Sequence, residues 1–170
     1  MRRAHIVLHA GSWSADQALA TLTLAFSDRH RRRVVLKDDQ GEEFLLDLPQ
    51  AAHLRDGDGL ALEGGGVIEI IAQAEDVAEV HCATPEALAR IAWHVGNRHM
   101  PVQILPEGRL RLPWDHVLVA MLQGLGAAPE RHQAPFQPEG GAYGTQAHAH
   151  PPHSHDPADG IGADHEHDGH

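Results

Sequence analysis

Histidine is where the chemistry of this sequence concentrates. The chain carries 16 histidines in 170 residues, and seven of them, His148, His150, His153, His155, His165, His167 and His170, fall within the last 23. Imidazole nitrogen suits Ni(II), Zn(II) and Cu(II). The pairs His148-Ala149-His150 and His153-Ser154-His155 are joined by Pro151-Pro152, and His165-Glu166-His167-Asp168-Gly169-His170 mixes imidazole with carboxylate. An H-x-H unit on a flexible chain brings two rings to one ion by wrapping around it. A purification tag would be a contiguous histidine run, whereas this segment is interleaved with acid and proline. It fixes no coordination geometry, so it is expected to hold several ions weakly, Cu(II) ahead of Ni(II) and Zn(II).

Two upstream contexts are tighter. In Trp93-His94-Val95-Gly96-Asn97-Arg98-His99-Met100-Pro101, His94 falls about 240° around a helix from Leu88, off the core face, where a surface role is its simplest reading. His99 lies just past the expected helix end. Pro101 biases Met100 toward an extended backbone, so the turn carrying His99 is short and stiff. Asp115 is expected to cap a second helix that begins at His116, where the positive end of the dipole opposes a charged ring and favours the metal-binding form. Cys82 has no companion for a disulfide or a thiolate zinc site and reads as a small core residue. No Gly-x-Ser-x-Gly or His-Glu-x-x-His motif is present, and Gly64-Gly65-Gly66 lacks the Lys-Ser/Thr of a phosphate loop; no enzyme is expected.

The elements that must position these residues fall into two sets. Up to about residue 72 the pattern is of strands: Leu22, Leu24 and Phe26 alternate, Val34-Val35-Leu36 follows a basic run, and Asp38-Asp39-Gln40-Gly41 turns the chain toward Phe44-Leu45-Leu46. Pro49 and Arg55-Asp56-Gly57-Asp58-Gly59 mark a turn before a short strand, and Glu63-Gly64-Gly65-Gly66 marks a second turn before a closing strand, Val67-Ile68-Glu69-Ile70-Ile71. So many short strands favour a small barrel or sandwich. From Glu75 the order becomes β-α-β-β-α-β. Thr84-Pro85-Glu86 starts a helix whose buried face is Leu88, Ile91, Ala92 and Val95, with Gly96-Asn97 expected to supply the left-handed residues at its end. Pro106-Glu107-Gly108 turns a hairpin, and Leu118, Met121, Leu122 and Leu125 line a second helix. That order is ferredoxin-like. The fold class is therefore α+β, divided as an N-terminal β domain (1–73), a ferredoxin-like domain (74–137) and a His-rich tail (138–170). The tail has too little apolar material to offset ordering entropy and is expected to be disordered without a ligand.

Composition narrows the partners. A net charge of -11 argues against nucleic acid, and after Arg131 the chain has no Lys or Arg but six carboxylates. The basic run Arg29-His30-Arg31-Arg32-Arg33 reads as a solvated turn and strand edge, with a docking patch for an acidic partner as the alternative. No run of about 18 apolar residues appears and the start turns polar too early for a signal peptide, so a soluble, cytoplasmic protein without a membrane contact is expected.

Several stretches together resemble the urease accessory nickel chaperones of the UreE family. They are Leu22-Thr23-Leu24 before the basic turn, Leu54-Arg55-Asp56-Gly57-Asp58, the segment Trp93 to Pro101, Asp115-His116-Val117-Leu118 with Met121-Leu122 and Leu125-Gly126, Phe136-Gln137-Pro138-Glu139-Gly140-Gly141-Ala142-Tyr143-Gly144, and the His-rich end. The resemblance implies a homodimer whose N-terminal domain contacts protein partners and whose ferredoxin-like domain dimerises and binds metal. It implies that His99 from both subunits holds the metal at the dimer interface and that His116 belongs to an accessory site, although some relatives carry a further histidine where this chain has Trp114. The implied activity is histidine-bound Ni(II) delivery to apo-urease, with the urease complex and its accessory proteins, including a GTPase, as partners. Zn(II) and Cu(II) fit the same ligands. The alternative is a nickel or zinc storage or buffering protein with no dedicated acceptor.

Overall fold

The computed structural model describes residues 1–140, and the seven tail histidines lie outside the described residues. Six strands form the first sheet: β1 (Arg2–Leu8), β2 (Ala18–Leu24), β3 (His30–Lys37), β4 (Glu43–His53), β5 (Gly59–Leu62) and β6 (Val67–Ala72). Their order is β2-β6-β5-β1-β4-β3. Alternation puts Leu22, Phe44, Leu46, Leu48, Leu60, Ile68 and Ile70 on one side, where they are buried together, and Val34 and Leu36 pack against them. The sheet curls around this core. Asp39, in the turn after β3 at one edge, reaches β2 at the other: its amide donates to Thr21 O at 2.9 Å, and its carboxylate accepts from the Thr21 hydroxyl at 2.6 Å and the Thr23 amide at 3.0 Å. The result is a half-barrel, in line with the strand-rich expectation.

Pro49 does not end a strand. β4 runs through it to His53, and the β3–β4 register shifts between Arg31 and Arg33, where Arg31 faces Ala52 and Arg33 faces Asp47. The irregularity accommodates a residue that cannot donate to a ladder.

The second sheet holds β7 (Ala74–His81), β8 (Gln103–Leu105), β9 (Arg109–Pro113) and β10 (Glu130–Pro135) in the order β10-β7-β9-β8, with α1 (Pro85–Gly96) after β7 and α2 (His116–Gly124) after β9. This is the ferredoxin-like β-α-β-β-α-β arrangement. Ile91 and Val95 of α1 and Leu118 and Leu122 of α2 pack with Val80, Cys82, Leu110 and Leu112 of the sheet. Both helix starts behave as their sequences require: the Thr84 hydroxyl accepts from the Ala87 amide at 3.2 Å, and the Asp115 carboxylate from the Leu118 amide at 2.8 Å.

Topology decides which ends meet. All neighbours in this sheet are antiparallel, with Pro113 opposite Val77, Pro135 opposite Ala74 and Gln103 opposite Arg111. The C-terminus of α1, the N-terminus of α2 and the end of β10 therefore lie at one end of the sheet. Beyond β10 the chain stays engaged: Phe136 is buried, and the Glu139 amide donates to Val102 O at 2.8 Å.

Candidate metal site

The end of α1 differs from its expected form. Asn97 is right-handed at φ -64°, and the left-handed residue is His99 at φ 54°. Two backbone bonds define the motif: Met100 N donates to Val95 O at 3.4 Å and His99 N to Gly96 O at 2.9 Å. This is the Schellman pattern, six-to-one and five-to-two, with Met100 packed on the core as the accompanying apolar contact. The left-handed position of that motif usually holds glycine, because a Cβ there is strained. Here it holds an exposed imidazole.

Electrostatics at this end favour a cation. The last carbonyls of α1 carry the negative pole of the helix, and the Arg98 guanidinium already binds one of them, donating to His94 O at 3.1 Å. His94 itself is partly buried and lies edge-on to Trp93, with ring centroids 4.9 Å apart. His116 occupies the opposite situation, exposed at the first position of α2 against the positive pole. Trp114, just ahead of the cap, is engaged elsewhere: its amide donates to Asp76 O at 2.9 Å, and the Arg131 guanidinium, paired with Asp76, lies over its ring at 4.8 Å.

His99 and His116 thus lie at the same end of the sheet. Among the described residues, no group of three or more His, Cys, Asp or Glu side chains is placed to hold a metal ion. Two apolar side chains are exposed near this end: Trp93, 64% exposed, close to the end of α1, and Val117, 65% exposed, beside His116; Ile104 is exposed on the edge strand β8, opposite Leu110. Cys82 is buried, and burial pushes its thiol pKa up, which leaves it inert.

Two features of the first sheet differ from or add to what the sequence indicates. Arg29, expected in a solvated turn, is 2% exposed; it donates to Phe136 O and, at 3.3 Å, to Gln137 Oε1. Its sequence signal, an arginine in a basic run, is the same as that of its exposed neighbours Arg32 and Arg33. His30 and His53 face each other across β3 and β4, with ring centroids 4.7 Å apart, and Phe26 stacks on His53. Burial, His30 and the neighbouring arginines Arg29 and Arg55 hold the pKa of His53 below its ordinary value.

Comparison with known proteins agrees with this architecture. A family model described as UreE urease accessory protein, N-terminal domain, matches residues 3–73, and the corresponding C-terminal domain model matches residues 75–169. The chain belongs to the UreE family. Relatives named urease accessory protein UreE include one from Bradyrhizobium sp. (strain ORS 278), 49% identical over 88% of this chain and 70% of its own. Another, from Chelativorans sp. (strain BNC1), is 51% identical over 82% and 87%, and one from Rhodobacter capsulatus is 48% identical over 89% and 95%. UreE proteins are accessory proteins in urease maturation and not enzymes. Among the described residues, no helix is long and apolar enough to cross a membrane.

Proposed function

We propose that this UreE protein is a nickel metallochaperone. It binds Ni(II) through histidines, works as a homodimer in the cytoplasm and hands the ion to apo-urease in company with urease accessory proteins, a GTPase among them. The observation that carries the reading is His99 at φ 54°. A non-glycine residue in that region costs about 1–3 kcal/mol, and such strain persists at functional sites where the side chain is needed. The imidazole stands in solvent at the negative pole of α1, beside exposed Trp93, and a metal cation there gains from the dipole.

One His99 per chain is too few ligands for tight binding. A two-fold axis through this end of the sheet doubles the set without a further residue, and the exposed Trp93 and Val117 are apolar surface such pairing buries. His116 is an accessory ligand. The tail histidines His148, His150, His153, His155, His165, His167 and His170 add capacity, and an open coordination sphere lets a receiving protein take the ion. Imidazole ligation also admits Zn(II) and Cu(II).

The seven tail histidines favour a second reading, a store or buffer without an acceptor. Nickel-loaded protein incubated with an apo-urease complex separates the two. Delivery predicts transfer and urease activation, lost in His99→Ala and largely retained after deletion of residues 145–170. Storage predicts the reverse ranking. Wild-type protein that transfers no nickel under conditions where free nickel activates urease would remove the delivery role.

A further inference from the structure

The segment after β10 bridges both sheets. On one side, the buried Arg29 donates to Phe136 O and to Gln137 Oε1 at 3.3 Å; Gln137 Oε1 also accepts from the Asp56 amide at 2.9 Å; and Phe136 meets Phe26 edge-on at 5.4 Å. On the other side, the Gln137 amide donates to Gln103 Oε1 at 2.9 Å, the Glu139 amide to Val102 O at 2.8 Å, and Ile104 N donates to Glu139 Oε1 at 3.4 Å. Four residues, Phe136 to Glu139, thereby tie the Arg29 and Asp56 loops of the half-barrel to the strand that follows the His99 turn.

Val102 is only three residues beyond His99, and Pro101 stiffens the path between them. The turn is therefore anchored on both flanks. Val95 and Gly96 carbonyls hold it from the helix, and the Glu139 amide holds it from the strap. With the strap flank released, only the Schellman bonds and the Met100 core contact would keep a β-carbon-bearing residue left-handed. We infer that the Phe136–Glu139 strap fixes the backbone direction of His99, which makes Arg29 and Glu139 positioning residues for the metal site although neither touches it. This rests on the reading of His99 as a nickel ligand. It also gives the half-barrel a mechanical line to that ligand, because anything that displaces the Arg29 or Asp56 loop pulls on the strap.

The test uses the full-length chain with the seven tail histidines changed to alanine, so that nickel titration calorimetry reads the folded part alone. Glu139→Pro deletes the amide that binds Val102 O at an exposed position, and Arg29→Met removes the donors to Phe136 and Gln137. Each is expected to weaken nickel binding by about tenfold or more, the loss typical of groups that orient a ligand from outside the coordination sphere. Arg29→Lys, which retains a donor for the Phe136 carbonyl, should recover most of the affinity. Hydrogen exchange of the amides from His99 to Ile104 should accelerate in Glu139→Pro while those of β7 and β9 stay slow, a pattern general destabilisation does not give. His99→Ala is the reference arm. If it still binds nickel as before, the metal reading fails. If it loses nickel while Glu139→Pro binds as tightly as the parent and exchanges no faster, the strap inference is wrong. Should Arg29→Met fail to fold, Glu139→Pro decides alone.

Discussion

Two helix ends lie at the same end of the second sheet, and both carry a histidine in the wrong place for stability alone. At the end of α1, His99 sits where glycine is easier; at the start of α2, His116 sits where the dipole opposes positive charge. The physics ranks them differently. Backbone strain at His99 works against the protein with or without metal, while the negative pole there works for a bound cation. The pole at His116 works against a cation, so under the proposed function His116 is at most the weaker of the two ligands.

The largest effect expected from this contrast is on metal binding. His99→Ala should abolish the tight site in calorimetry, whereas His116→Ala should weaken it by no more than about tenfold. Equal losses in the two variants would collapse the distinction between the ends.

Acidity sharpens it next. Nickel competes with protons for imidazole nitrogen, whose ordinary pKa is about 6.5, so affinity should fall as the pH drops from about 7 to 5. The fold should survive that range. The hydrogen bond from Arg2 holds the Asp38 carboxyl below the usual carboxylate range. Burial raises Glu79, but Arg111 outweighs it, and that carboxyl also lies low. A folded-state pKa below the unfolded value gives stability that is present above about pH 4 and lost as the pH falls through the folded value. Nickel release should therefore precede unfolding, and circular dichroism recorded alongside a nickel titration at pH 5 would show one without the other.

Smaller effects belong to the caps. Asp115→Ala at the start of α2 should cost about 1 kcal/mol, or about 2–4 °C in Tm for a chain of this size, and Thr84→Ala at the start of α1 should cost a similar amount. The smallest change has the opposite sign. His99→Gly should stabilise the protein by up to about 1 kcal/mol in urea denaturation while losing nickel, since it relieves the left-handed strain and removes the ligand together. A His99→Gly protein no more stable than the parent would mean that the turn carries no strain.

The caps were legible because everything that makes them is local: a hydroxyl or carboxylate, and an amide three residues on. The ferredoxin-like order was legible for a similar reason, since the periodicities around Ile91 and Leu118 and the turn at Glu107 and Gly108 are short-range signals. The left-handed residue was misplaced because Gly96-Asn97 offers the stronger local preference. The actual choice depends on Met100 finding the core, which the chain around it does not encode. Arg29 was hidden for a stronger reason. Its acceptors lie more than a hundred residues away, at Phe136 and Gln137, and no local pattern distinguishes it from the exposed arginines beside it. Pro49 misled because a bulge tolerates what a regular ladder does not.

The joint around Arg29 has an implication for how the molecule breathes. Its guanidinium is buried, and burial pulls its pKa down while Glu75 and Asp56 resist. A charged group taken out of water is costly even when it is hydrogen-bonded and has opposite charges near it. The joint is thus held with a built-in deficit, whereas the half-barrel and the second sheet each close around a continuous apolar core. Sub-global opening should begin there, with water reaching the arginine and the strap lifting while both sheets stay intact.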